Sequence, residues 1–166
     1  MSLSDAFISE LQHEAATTRK CLERIPEATF SWKPHEKSMT MLQLATHAAD
    51  MTDWVNEVLE KSELNFAEMD FTPYEMKSTA ELVEFFDKKV YAALEALKGV
   101  SDETFMENWR LRNGDEIYFE MSKFEVLRGM TFNHIIHHRG QLTVYLRMND
   151  IPVPALYGPS ADEGAM

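Results

Sequence analysis

Three histidines lie close together in the stretch "NHIIHHRGQL", residues 133 to 142, of a chain that has six histidines in total. In a helix, side chains four positions apart lie on one face with their Cβ atoms about 6 Å apart, close enough to share a ligand. His134 and His138 have this spacing, whereas His137 lies at the edge of that face. Because imidazole nitrogens are common ligands of divalent metal ions, the spacing indicates a metal site.

A third histidine is predicted to face inward from another helix. His47 lies at the centre of an apolar stripe that includes Leu44 and Met51. Three neutral imidazoles leave a coordination position of a divalent metal open, which is typical of a catalytic rather than a structural site. We therefore predict that His47, His134 and His138 are the metal ligands.

A purely structural role is the alternative for each of these side chains. A single histidine on an apolar face is more often a hydrogen-bonded core residue than a ligand, and paired histidines also occur on solvated faces. Burying two unpaired imidazoles costs about 1–3 kcal/mol each, and a shared cation relieves that cost. Glu14 and Asp50 lie at the margins of their stripes, so each is a fourth ligand, an orienting partner or a boundary residue that reaches water.

Helical spacing of apolar residues defines the elements that must position the histidines. The first helix is predicted over residues 3–25 and the third begins at Ser78. A capping box at Thr40 is predicted to start the second helix, which is about twenty residues long. A second capping box at Ser122 is predicted to start the fourth helix, which ends at about residue 149.

The connections complete the predicted fold. Residues 63–77 form a long crossover between helices 2 and 3, and Asn113-Gly114, between alternating apolar residues, indicates a short hairpin before helix 4. The predicted fold class is all-α, a four-helix bundle. Such bundles place metal sites on inward-facing side chains.

Composition limits the function classes. The 166 residues favour a single domain, residues 1–166, with a flexible tail from about residue 158 and a core that needs no metal to fold. A formal net charge of -12 would repel a phosphate backbone, so nucleic acid is not an expected partner. No apolar run reaches the roughly 18 residues of a membrane span. A single cysteine, Cys21, and an N-terminus unlike a signal peptide favour a reducing cytoplasm.

Four segments together resemble a known family. They are "FSWKP" after the first helix, "LQLATHAAD" in the second, and "NHIIHHRGQL" followed by "LRMNDIPVP" at the end. The chain is similar to the DinB and YfiT-like metalloenzymes of the DinB superfamily over nearly its whole length. The resemblance implies a four-helix bundle, a homodimer, and a divalent metal ion, commonly nickel or zinc, held by His47, His134 and His138.

The same resemblance implies thiol chemistry without choosing one reaction, because some members are thiol-dependent S-transferases, some are isomerases, and many have no established reaction. A dication with three neutral ligands would favour the thiolate form of a bound thiol. Cys21 lies at the edge of the apolar stripe of helix 1, so it is not expected to supply the nucleophile. The thiol is therefore expected to arrive as a small cosubstrate. We expect a metal-dependent enzyme that transfers a low-molecular-weight thiol to an electrophile. The alternatives are a metal-dependent hydrolase and a non-catalytic metal or small-ligand binding protein.

The face of helix 4 opposite the histidines is predicted to form the dimer interface. It is apolar or small at Gly129, Phe132, Ile136, Gly140 and Thr143. We expect a homodimer through Phe132 and Ile136, with a polar rim of Glu125, Arg128 and Arg139. The alternative is that the chain's own 105–121 segment or tail covers Phe132 and Ile136.

Overall fold

The computed structural model describes residues 2–164 of the chain and is mostly helical, with 58% helix and 10% strand. The α-helices are α1 Leu3–Leu22, α2 Met41–Asp50, α3 Trp54–Glu60, α4 Thr79–Leu97, α5 Asp102–Phe105, α6 Lys123–Val126 and α7 Asn133–Met148. Short 3-10 turns cover Glu27–Thr29, Met51–Asp53 and Phe66–Glu68. No helix among the described residues is long and apolar enough to cross a membrane.

Side-chain caps set where the main helices begin. The hydroxyl of Thr40 accepts a hydrogen bond from the backbone N–H of Gln43, and the Gln43 side chain accepts one from the backbone of Thr40. The same reciprocal box starts α6 at Ser122, and Ser78 caps α4. Each cap satisfies backbone donors that have no partner inside the helix, so the predicted helix starts are confirmed.

The all-α fold class is wrong, because the chain also forms a three-stranded mixed sheet. Strand β2, Asn108–Asn113, pairs antiparallel with β3, Glu116–Ser122, and Gly114 begins their turn with a φ of 58°. That pairing is the hairpin indicated by the sequence. The third strand, β1, Glu63–Asn65, lies in the predicted crossover and pairs parallel with β2.

The parallel pairing of β1 explains the error in the predicted fold class. It depends on partners far apart in the chain, such as Glu63 opposite Arg110, so no local pattern reveals it. Side chains hold the strand in place: Arg112 donates to Glu63 at 2.7 Å, and the N–H of Gly114 donates to the Asn65 amide oxygen at 2.9 Å.

Two apolar clusters form the core, one toward the sheet and one toward the other end of the bundle. The first includes Phe7, Trp54, Phe105, Trp109 and Phe132, and the second includes Leu22, Leu44, Phe86, Leu142 and Leu146. Along α2 and α7, the histidines come between residues of the first cluster and residues of the second. The candidate site therefore lies where the two clusters meet.

A π-helical segment, Leu127–Phe132, joins α6 to α7 in one continuous helix. Its backbone bonds span one residue more per turn than those of an α-helix, and such segments occur often at functional sites. The segment ends just before His134. The geometry of this helix therefore changes directly upstream of the candidate ligands.

Part of the predicted dimer face of this helix is covered by α1. Phe132 is 0% exposed and stacks on Phe7, with ring centroids 5.3 Å apart. Arg139 is 1% exposed and pairs with Glu14. Phe132 and Arg139 were therefore wrongly assigned to the interface. The buried side of the helix extends from the histidines round to α1, about 140–160° away, rather than being centred on the histidines.

The homodimer itself stays a prediction, and it now depends on the residues of α7 that α1 leaves uncovered. Ile136 is half-buried, whereas Gly140 and Val144 are exposed. We expect Ile136→Glu to convert a dimer to a monomer, measured by light scattering, because a charge would be buried against the second copy. The control is Tyr91→Glu, which changes an exposed side chain on α4. A monomeric wild type, or a dimer that Ile136→Glu leaves intact, would remove this interface.

The C-terminal segment folds back onto the helices. Asp162 pairs with Arg147 on α7, and Glu163 pairs with Arg24, just after α1. The Asp162 carboxylate also accepts a hydrogen bond from the backbone of Val153 at 2.8 Å. The tail predicted to be flexible includes these contacts, and its last two residues lie outside the described range.

Candidate metal centre

The structure brings the three predicted histidine ligands together. The ring centroid of His47 lies 5.3 Å from that of His134 and 4.5 Å from that of His138, and the last two rings are 4.6 Å apart. One nitrogen from each ring lies within 4.8 Å of the others. Two helices that are distant in sequence therefore direct three neutral nitrogen donors at one place.

Packing of α2 against α7 produces this arrangement. His47 lies in the last turn of α2, and His134 and His138 lie four positions apart in the first half of α7. His138 is 8% exposed, whereas His47 and His134 are half-buried. The cluster is thus built on rigid helices at the margin of the core, and part of it faces solvent.

One ring nitrogen of His138 lacks a hydrogen-bond partner among the described residues. Nδ1 of this ring lies 2.7 Å from Oε1 of Gln141, but Nε2 is buried without a hydrogen-bond partner among the described residues. A buried polar atom without a partner is costly, and such atoms in native proteins call for an explanation. A metal ion at the point where the three rings converge would supply the missing partner.

Burial favours the neutral form of all three rings. It lowers the pKa of His138 from 6.5 to about 4, although Gln141 opposes the shift. Burial also lowers the pKa of His134, against a hydrogen bond to the Met130 backbone, and that of His47, against the charge of Asp50. The charge of His134 further lowers the pKa of His47, and the charges of His47 and His134 further lower that of His138. Neutral imidazoles are the form that binds metal, so the cluster is ready for a cation near pH 7.

The donor set fits a divalent transition metal better than a hard cation. Imidazole suits zinc, nickel, copper and iron, whereas calcium and magnesium prefer oxygen ligands. Among the described residues, the groups suited to metal binding are these three histidines, with no carboxylate included. Three protein ligands leave at least one coordination position for another molecule.

The other candidate residues lie outside the cluster. The ring of His137 is 4.9 Å from that of His138, but the side chain is exposed. Glu14 is buried in an ion pair with Arg139, and Asp50 accepts from Tyr74 at 3.0 Å and pairs with Lys89. Asp50 reaches the cluster only through its effect on the pKa of His47.

Sequence analysis missed the contact of Gln141 near the site and gave Arg139 a different role, at the rim of the dimer interface. Gln141, three positions after His138, contacts its ring, and Arg139 fixes α7 to α1 on the other side of the helix. The available signal for Gln141 was its spacing, since side chains three apart on a helix are neighbours. The signal for Arg139 was weaker, because a charged residue is rarely fully buried unless it is paired.

The chain is similar to known proteins over nearly its whole length. The DinB family model matches residues 1–165. The curated "Uncharacterized protein YrdA" of Bacillus subtilis (strain 168) is 24% identical over 168 residues, which cover 97% of this chain and 92% of that protein.

Solved structures share the fold. A DinB-like protein from Bacillus cereus ATCC 10987 has a TM-score of 0.73 and 22% identity, covering 92% of this chain and 97% of its own. A DinB-like protein from Bacillus subtilis, YjoA, has a TM-score of 0.69 and 19% identity, covering 96% and 98% of the two chains. With a family model matched over nearly the whole sequence, the chain belongs to the DinB family.

Proposed function

We propose that the protein is a metal-dependent enzyme that transfers a low-molecular-weight thiol to a small electrophilic substrate. The observation that carries the metal part is the buried, unpartnered Nε2 of His138 beside His47 and His134. The proposed ion is Ni²⁺ or Zn²⁺, held by these three rings. Family membership supports the metal. The thiol is proposed from the resemblance to the DinB and YfiT-like metalloenzymes, and the residues of this chain bear only on where that thiol comes from.

The protein's own cysteine is unsuited to be the nucleophile. Cys21 is 0% exposed, and burial raises the pKa of its thiol to about 11. Only a thiolate attacks an electrophile efficiently, so this side chain is inert near pH 7. A thiol used in the reaction must therefore be brought in from solution.

The three histidines would both bind the cation and leave it accessible to a small molecule. When bound, the cation would act as a Lewis acid that stabilises the thiolate of an incoming thiol. The three neutral histidines would hold the cation, and no carboxylate ligand would reduce its positive charge. Because His47 and His134 are only half-buried, a small molecule can approach from their side.

The test combines metal analysis with two activity assays on protein purified without a histidine tag. We expect about one Ni²⁺ or Zn²⁺ per chain, and we expect conjugation of L-cysteine to monobromobimane above the rate of His138→Ala. Turnover of a p-nitrophenyl ester without thiol would instead favour a hydrolase. Metal binding without turnover in either assay would favour a carrier, and absence of metal binding would refute the metal centre.

Metal removal should leave the fold intact. The two apolar clusters fill the core without help from the ion, unlike the core of a zinc finger. After treatment with EDTA, we expect the helical circular dichroism signal at 222 nm to be retained. The melting temperature should fall only as far as the loss of the metal's binding free energy requires. Global unfolding on chelation would show that the ion has a structural role.

A further inference from the structure

Gln141 makes the contact that fixes the protonation of the His138 ring. Its amide oxygen Oε1 lies 2.7 Å from Nδ1 of His138, three positions earlier on α7. An amide oxygen can only accept a hydrogen bond, so Nδ1 must carry the proton. In a neutral imidazole the other nitrogen, Nε2, then has a free lone pair.

The nitrogen left without a proton is the one that the protein encloses. Nε2 of His138 is buried, and no described residue donates to it. The rings of His47 and His134 lie 4.5 and 4.6 Å from the His138 ring, centroid to centroid. Gln141 thus makes Nε2 an acceptor where a cation, rather than a hydrogen-bond donor, is expected.

We propose that Gln141 is a positioning residue of the metal centre, which holds the His138 proton on Nδ1 and keeps Nε2 available to bind the ion. This inference rests on the proposed function in one respect, since its effect on affinity requires a metal site. Partners of this kind set the tautomer and orientation of ligating histidines, and losing one typically lowers metal affinity 10- to 100-fold.

The contact is suited to positioning and adds little to packing. Gln141 is exposed, and its amide is the hydrogen-bond partner of the His138 ring among the described residues. Without Gln141, the His138 proton is free to occupy Nε2, where the ion must displace it.

The experiment compares Gln141→Leu, Gln141→Glu and a matched control, Gln12→Leu, which removes another exposed helical glutamine. Zn²⁺ affinity is measured by competition with a chromophoric chelator. The tautomer of His138 is read in metal-free protein from the ¹⁵N chemical shifts of its ring, and circular dichroism checks that each variant is folded.

We expect Gln141→Leu to bind Zn²⁺ about 10- to 100-fold more weakly than wild type and to shift the His138 proton toward Nε2. Gln141→Glu keeps an acceptor and should restore both the affinity and the tautomer, whereas Gln12→Leu should match wild type. A Gln141→Leu variant with wild-type affinity would overturn the positioning role and leave the metal centre standing. A wild type that binds neither Zn²⁺ nor Ni²⁺ in the same competition assay would refute the metal centre. In that case the positioning role would fail as well, whatever the ¹⁵N shifts show of the hydrogen bond.

Discussion

Replacing His138 with alanine is expected to lower Zn²⁺ or Ni²⁺ affinity by more than about 100-fold, which exceeds the usual effect of losing a partner that only orients a ligand. The substitution removes the most buried of the three converging rings and the nitrogen that has no other partner. Calorimetric titration of tag-free protein measures the change. His47→Ala and His134→Ala should cause losses of similar size, because a site with three protein ligands has none to spare.

The adjacent histidine is the matched control for this prediction. His137 has the same side chain on the same helix, but it is exposed and lies outside the cluster. His137→Ala should change the affinity by less than a few-fold. Equal losses in His137→Ala and His138→Ala would mean that binding occurs at a surface site, and the proposed ligand set would be wrong.

Breaking the ion pair between Arg139 and Glu14 is expected to cost about 3–5 kcal/mol of unfolding free energy, because the remaining charge would stay buried without its partner. The side chains are 1% and 8% exposed, and the Nη1–Oε2 distance is 2.6 Å. Arg139 also donates to the hydroxyls of Thr17 and Tyr157, and Tyr157 donates to Glu14 at 2.7 Å. The variant is Arg139→Met, measured by urea unfolding.

Two further variants separate buried charge from lost packing. Arg139→Met combined with Glu14→Gln should regain part of the stability, since no uncompensated charge remains. Arg19→Met breaks exposed pairs with Glu23 and Asp87 and should cost less than about 1 kcal/mol. If Arg139→Met and Arg19→Met cost the same, the buried network would not stabilise the fold as described.

Features fixed by neighbours in the sequence were predicted from it. The capping boxes at Thr40 and Ser122 and the Asn113-Gly114 hairpin turn each depend on residues within one turn of the chain. The convergence of the histidines also followed from local spacing, because two of them share one helix face. That they bind metal stays a prediction.

Features fixed by distant partners were not predictable. Strand β1 exists only because β2 lies beside it, and its three residues carry no alternating pattern of their own. The burial of Arg139 depends on Glu14, which is in another helix. A charged residue on a helix is predicted to be a boundary residue until its partner is known, and for that reason Arg139 was placed at the rim of the dimer face.

The π segment allows the two ends of one helix to be oriented independently. At the start of α6, Lys123 is 5% exposed and donates hydrogen bonds to Glu107 and to the carbonyl of Leu59. This end of the helix is therefore fixed by the sheet side of the molecule. At its other end, the histidine face is fixed by α2. In an uninterrupted α-helix, the orientation of one end would determine the orientation of the other, since each residue rotates the side-chain direction by about 100°. The π-helical segment Leu127–Phe132 therefore sets the rotation of α7 about the helix axis relative to α6. Deleting one residue within it would rotate one of these two helices away from the neighbours it packs against.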